Sequence, residues 1–295
     1  MEGNFFTLTP MTQRMSDLKP GQSYTGSITI INPINATSDF HYSVQIAPYS
    51  VSGEGYDADF SSSSDYTLLA NWLTIDDPTG VITPNHTKTV HYTIKVPSNA
   101  PAGGQYAAIV VSKDPDATTD EDSGVAIKDI HEIASLIYAD VAGQTTRSGE
   151  ILENNFPTFV TSAPITLSAM LTNTGNIHIT ATIAVEATDA FTGEVIVGPS
   201  KENYQYAELI MPETTRYATR NISENLPQLG IVHVSQTIQY NGQTSVTEHD
   251  VIICPVWFLI LICFIFFLLI LSIFHLFHKF YCRKKHAHKT SKLKQ

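Results

Sequence analysis

Thr89-Val90-His91-Tyr92-Thr93-Ile94-Lys95-Val96 alternates polar and apolar side chains without a slip. Ile177-His178-Ile179-Thr180-Ala181-Thr182-Ile183-Ala184-Val185 repeats the pattern in the second half of the chain. Successive strand residues point to opposite faces, so a period of two means one buried face and one wet face. It places Val90, Tyr92, Ile94 and Val96 inward in the first stretch, and Ile179, Ile183 and Val185 inward in the second. The same reading extends outward to strands at Tyr24–Ile31, Phe40–Ala47, Gln105–Ser112, Glu132–Tyr138, Ile165–Thr172 and Ile231–Tyr240. Turn residues separate them: Lys-Pro-Gly at 19–21, Asn-Pro at 32–33, Pro-Ala-Gly-Gly at 101–104 and Asn-Thr-Gly-Asn at 173–176. Asn241-Gly242, between QTIQY and QTSVTEH, is the strongest hairpin signal. No stretch before residue 250 holds a 3.6-residue stripe over three turns, so the expectation is all-β, built of sandwiches.

At 295 residues the chain suits two such domains and an appendage. All 28 Asp and Glu lie at or before Asp250, with 10 of the 17 Lys and Arg, so residues 1–250 carry −18. The rest has seven bases and no acid. Between the two, Val251 to Phe274 runs 24 residues without a charge. As a helix it reaches ~36 Å, enough for a hydrocarbon core ~30 Å thick. Trp257, near one end, and Tyr281, past the other, are expected as membrane-interface anchors, with Arg283, Lys284 and Lys285 behind them. A basic flank stays cytoplasmic by the positive-inside rule, which puts residues 1–250 outside the cell. A tail anchor with a cytoplasmic domain is the rival, and it would have to move seven positive charges across the bilayer. An exported domain needs a signal peptide. Met1-Glu-Gly-Asn opens no basic-then-apolar segment, so one is expected upstream.

The expected division is residues 1–143 as the first sandwich, 144–155 as linker, 156–250 as the second sandwich, 251–275 as transmembrane helix and 276–295 as basic cytoplasmic tail. The acidic stretch KDPDATTDEDSG is read as a loop inside the first domain. Asn-containing turns at NPINATSDF and NTGNIHI give the halves a common theme.

The net charge of −11 argues against nucleic acid, whose phosphates demand a basic surface. Cys254, Cys263 and Cys282 all lie in or beside the span, so residues 1–250 hold no disulfide framework. G-x-S-x-G, H-E-x-x-H, Walker A and G-x-G-x-x-G motifs do not occur, and no catalytic residue is assigned. Histidines 41, 86, 91, 131, 178, 233 and 249 are scattered singly and read as solvent-facing. Asp114, Asp116, Asp120, Glu121 and Asp122 lack the glycine and closing glutamate of an EF-hand, so the loop reads as solvated rather than calcium-binding. Leu226-Pro-Gln-Leu-Gly230 is a turn, not a sorting signal. His275, His278, Cys282 and His286 share one helix face, yet without carboxylates or outer partners they read as a helix end rather than a metal site. No metal and no cofactor is expected. Acylation of Cys282 and glycosylation at Asn35, Asn85 and Asn221 are sequence matches of low specificity.

One family has this order of punctuation. FTLTP, KPGQSYTGSITIINPIN, YSVQIAPYS, ANWLTID, ITPNHTKTVHYTIKVP and APAGGQYAAIVV resemble the peptidoglycan-binding domain of WxL-interacting proteins. APITLSAMLTNTGNIHI, LPQLGIVHVSQTIQYNG and VIICPVW are similar to the domain that follows it. The WxL motif itself is absent, since Leu73 follows Trp72 directly, so the likeness is to the anchored partner. The resemblance implies an all-β chain of two Ig-like β-sandwich domains in tandem plus one C-terminal transmembrane α-helix. It implies a non-catalytic surface protein attaching to peptidoglycan and to other cell-surface (WxL-type) proteins, with the lipid bilayer as its other partner. The alternative is a single-span receptor passing ectodomain binding to a cytoplasmic partner. The ligand-binding residues are not identified.

Overall fold

The computed structural model describes residues 6–53, 55–113, 131–199 and 204–292, with side chains to residue 279. The first sandwich faces a four-stranded sheet against a five-stranded one. β1 (Thr7–Thr9), β3 (Ser23–Asn32), β9 (His86–Lys95) and β7 (Leu73–Ile75) make one, in the order β1-β3-β9-β7. The other, ordered β2-β11-β10-β4-β8, contains β2 (Thr12–Leu18), β4 (Phe40–Pro48), β8 (Thr79–Ile82), β10 (Gly103–Lys113) and β11 (Glu132–Val141). A small hairpin, β5 (Ser50–Ser52) with β6 (Asp57–Asp59), and one helical turn, α1 (Leu69–Trp72), complete it. Val90, Tyr92, Ile94 and Val96 are buried between the sheets, as the alternation requires.

The second sandwich has the same wiring. β12 (Gly149–Asn155), β14 (Ile165–Asn173) and β18 (Thr215–Ile222) form one sheet. β13 (Phe159–Val160), β20 (Gln243–Ile253), β19 (Gly230–Tyr240) and β15 (Ile179–Asp189) form the other, with β16 (Val195–Val197) and β17 (Gln205–Ile210) on the outer edge of β15. In each domain the first strand pairs antiparallel with the third, and the second lies parallel to the last. The common asparagine theme has a physical basis. Asn32 is buried, and its Nδ2 donates to the carbonyls of Ser38 (3.1 Å) and Ile82 (2.8 Å). Asn173, at the corresponding strand end, donates to Ile177 (2.9 Å) and Ile210 (3.0 Å). In each domain the isoleucine that accepts from the opposite sheet, Ile82 or Ile210, opens an Ile-X-Pro-X turn. The last residue of that turn, Asn85 or Glu213, has positive φ. One buried amide satisfies two loop carbonyls in each domain.

Two expected boundaries move. Residues 149–155, read as linker, are β12, paired with β14 from Gly149↔Asn173 to Asn155↔Ser168. Val251 to Ile253, read as the start of the span, belong to β20 and pair with Val232, Ile231 and Gly230. Their hydrophobicity has a second cause, since Val251 and Ile253 fill the core of the second sandwich. The helix, α2, runs Val256–Lys292. Within it Val256–Lys279 is long and apolar enough to cross a membrane, its most apolar 18 residues having a mean hydropathy of 3.2. Pro255 precedes it where its missing N–H costs nothing, and the Pro255 carbonyl accepts from Leu259 at 3.2 Å.

Candidate functional site

The strand β10 lies between β11 and β4, so its inner face meets the first core. Its outer face is covered as well. Tyr106 and Ala108 of β10, with Tyr49 and Tyr138, pack on Met211 of the second sandwich, and all five side chains are buried. Rings meet edge to face: Tyr106 with Tyr138 at 5.4 Å, Tyr138 with His178 at 5.5 Å, Tyr106 with His178 at 5.7 Å. Such pairs add to the burial of area itself.

Polar groups fix the angle of this junction. The His178 backbone N–H donates to the Tyr106 hydroxyl at 2.8 Å, and that hydroxyl lies 2.9 Å from His178 Nδ1, which accepts its proton in the neutral Nε2–H tautomer. Arg147 donates to the His178 carbonyl at 3.0 Å. The Tyr56 hydroxyl takes the Met211 N–H and meets Thr214 Oγ1 at 2.7 Å, while Arg216 stacks on the Tyr56 ring at 4.5 Å. Asn176, from the NTGN turn, spans both domains and the link between them. Its Nδ2 donates to Ala102 and Gln144 carbonyls at 3.0 Å each, and its Oδ1 accepts from Thr146 N–H at 2.7 Å. The backbones come so close that two glycines are required. A Cβ on Gly103, at φ +119°, would sit 2.3 Å from the Asn176 carbonyl, and one on Gly175 would sit 2.1 Å from that of Thr146.

Burial decides the titration of this cluster. It pushes the Tyr106 and Tyr138 hydroxyls well above the usual tyrosine range and holds His178 below its ordinary 6.5. His178 therefore departs from the solvent-facing expectation. Ile177, His178 and Ile179 are all buried, because the second domain's strand end is roofed by the first. His233 does face solvent and pairs with Asp250 at 2.8 Å.

Among the described residues no three His, Cys, Asp or Glu side chains gather so as to hold a metal. The acidic stretch Asp114 to Asp122 lies outside the described residues. So do the side chains of Tyr281, Cys282, Arg283, Lys284, Lys285 and His286, whose positions fall within α2. Trp257 stands in the first turn of α2, exposed, its ring edge-on to Phe258 at 5.5 Å. Trp257 is not among the side chains of the junction. The junction itself had a sequence signal: Tyr106-Ala-Ala-Ile-Val-Val111 is apolar at every position, the mark of a strand covered on both faces.

No protein-family model and no curated protein matches the chain. Solved structures do. A structure titled as a chaperone–tip adhesin complex of CFA/I fimbriae biogenesis is 11% identical, with a TM-score of 0.40, over 83% of this chain and 98% of its own. The YadV chaperone is 8% identical, with a TM-score of 0.40, over 83% and 99%. The CsuC–CsuE chaperone–tip adhesion subunit complex of Acinetobacter baumannii is 11% identical, with a TM-score of 0.38, over 83% and 98%. Scores this low carry no argument about what the chain binds.

Proposed function

We propose that this chain is a non-catalytic binding protein of the cell surface, two Ig-like sandwiches held at the membrane by one helix with a basic cytoplasmic tail. The observation that carries the reading is the joint at Cys254-Pro255. The last core strand of the second sandwich passes through only these two residues into the apolar helix. An acidic ectodomain on one side of that helix and an acid-free basic tail on the other support the orientation. Peptidoglycan and WxL-type surface proteins are the ligands that the family resemblance supports, bound without covalent chemistry through sheet edges and loops. Trp257 and Tyr281, with Arg283, Lys284 and Lys285, serve as the interface anchors. The short joint also favours a second reading, a single-span receptor, because two residues leave little slack between ectodomain and helix.

The test is co-sedimentation of the full chain in detergent with insoluble peptidoglycan, beside capture of purified WxL-type proteins. Retention on either supports the proposal; retention on neither removes its ligand half.

A further inference from the structure

The end of the second sandwich that meets α2 gathers five exposed large apolar side chains among its polar ones. Its level is fixed by the pairing: Ile252 lies opposite both Phe159 and Ile231, Ile253 opposite Gly230, and the Ala190 N–H donates to the Ile231 carbonyl at 3.0 Å. Phe159, Leu229, Ile252 and the turn after Asp189 therefore share one rim, the rim from which α2 departs two residues later. On that rim Phe191 is 77% exposed, and Phe159, Val195, Leu229 and Ile252 are exposed with it. Elsewhere among the described residues of this domain, the exposed large apolar side chains are Leu152, Tyr217 and Val246.

Phe191 is held out rather than left loose. The Asp189 carboxylate accepts the N–H groups of Phe191 (2.9 Å) and Thr192 (2.8 Å), and the Gly193 N–H donates to the Asp189 carbonyl at 2.8 Å. A rigid turn thus presents a full aromatic ring to whatever lies beyond the rim. The three Cα steps from Ile253 to Val256 span at most ~11 Å, and the polar layer of a bilayer is ~5–7 Å deep on each side. Whatever membrane takes α2 must lie against this rim.

We propose that the rim seats in the interfacial layer of the bilayer, with Phe191 and Leu229 as its wedge and Phe159 and Ile252 beside them. The proposal rests on the reading of α2 as a membrane span. Charge specifies the kind of contact. No Lys or Arg stands at 156–164, 189–195 or 223–230, and Asp189, Glu194 and Glu224 do. The seat is therefore made by apolar burial and not by attraction to anionic headgroups. It fixes the tilt of both sandwiches over the surface, because buried rings and hydrogen bonds tie the first sandwich to the second at the junction above.

The experiment uses the full chain in phosphatidylcholine vesicles whose lipids carry bromine at a shallow acyl position. Phe191→Trp is made in a Trp257→Phe background, leaving Trp72 buried in the first core as a constant. The indole introduced by Phe191→Trp is expected to be quenched at least half as strongly as Trp257 in the unaltered chain, with no dependence on salt. If aqueous iodide reaches that indole and bromolipid does not, while Trp257 is quenched, the seat is overturned and the span stands. Absence of quenching at Trp257 overturns the span and the seat with it. Ile34→Trp, in the same background and at a position 80% exposed in the first domain, must remain unquenched; equal quenching there means the protein lies flat and overturns the proposal.

Discussion

At the scale of single residues, the alternation makes a sharp demand. Ile94 and Ile183 are fully buried, and Thr93 and Thr182 beside them are only partly so. Ile94→Ala or Ile183→Ala should cost ~2–5 kcal/mol by lost transfer energy and residual cavity. Thr93→Ala or Thr182→Ala should stay within ~1 kcal/mol. Chemical denaturation checks both, and equal losses at Ile94 and Thr93 would mean a wrong register. Gln236 departs from the pattern. It is 1% exposed on the inward face of β19, between the cluster holding Val234 and that holding Ile238. Neither amide atom has a hydrogen-bond partner. Gln236→Leu should leave stability unchanged or raise it by ~1 kcal/mol, because a stranded polar group costs more than it returns. His178 gives the pH dependence. Its folded pKa lies below 6.5, so the unfolded chain binds the proton first and stability rises with pH through the window beneath that value. Stability is complete above pH 6.5 and falls as pH drops from there towards the folded pKa. Denaturation midpoints of wild type against His178→Gln, at about pH 7.5 and 5.5 on either side of the unfolded value, should show a steeper acid loss in wild type.

Between elements, the sandwiches were legible, and of the junction only the apolar run Tyr106 to Val111 of β10 left a mark. Tyr24–Ile31, Phe40–Ala47 and Ile231–Tyr240 lie within β3, β4 and β19, because one wet face writes a period of two into the sequence. Asn241 and Gly242, at φ 48° and 75°, make the turn their dipeptide announces. That run marks β10 as covered on both faces but does not name the cover, because tyrosines roofed by another domain look like any aromatic strand residues. The start of the helix, expected at Val251, is misplaced for a related reason. A core strand end and a span are both apolar, so hydropathy joins Val251–Ile253 to the helix although their backbone is paired. The Asn176 side chain holds the junction through three bonds to the first domain and the link, two of them from Nδ2. Asn176→Ala should open it locally. The amides of Gly104 and His178 should exchange about tenfold faster, the effect of ~1.4 kcal/mol, while those of Ile94 and Ile183 hold. Unchanged exchange at Gly104 and His178 would show that the rings alone fix the angle.

For the whole molecule, the joint at Cys254-Pro255 ties every other claim together. In the proposed function it is this joint that sets the second sandwich against one face of a bilayer and the first above it through the tyrosine junction, with the basic residues on the opposite side. The direct test is protease added to intact cells that express the full chain with an epitope tag at each end. The expected result is loss of the amino-terminal tag and survival of a small membrane fragment that keeps the carboxy-terminal tag. Protection of the amino-terminal tag until the cells are permeabilised would contradict the account and put both sandwiches in the cytoplasm.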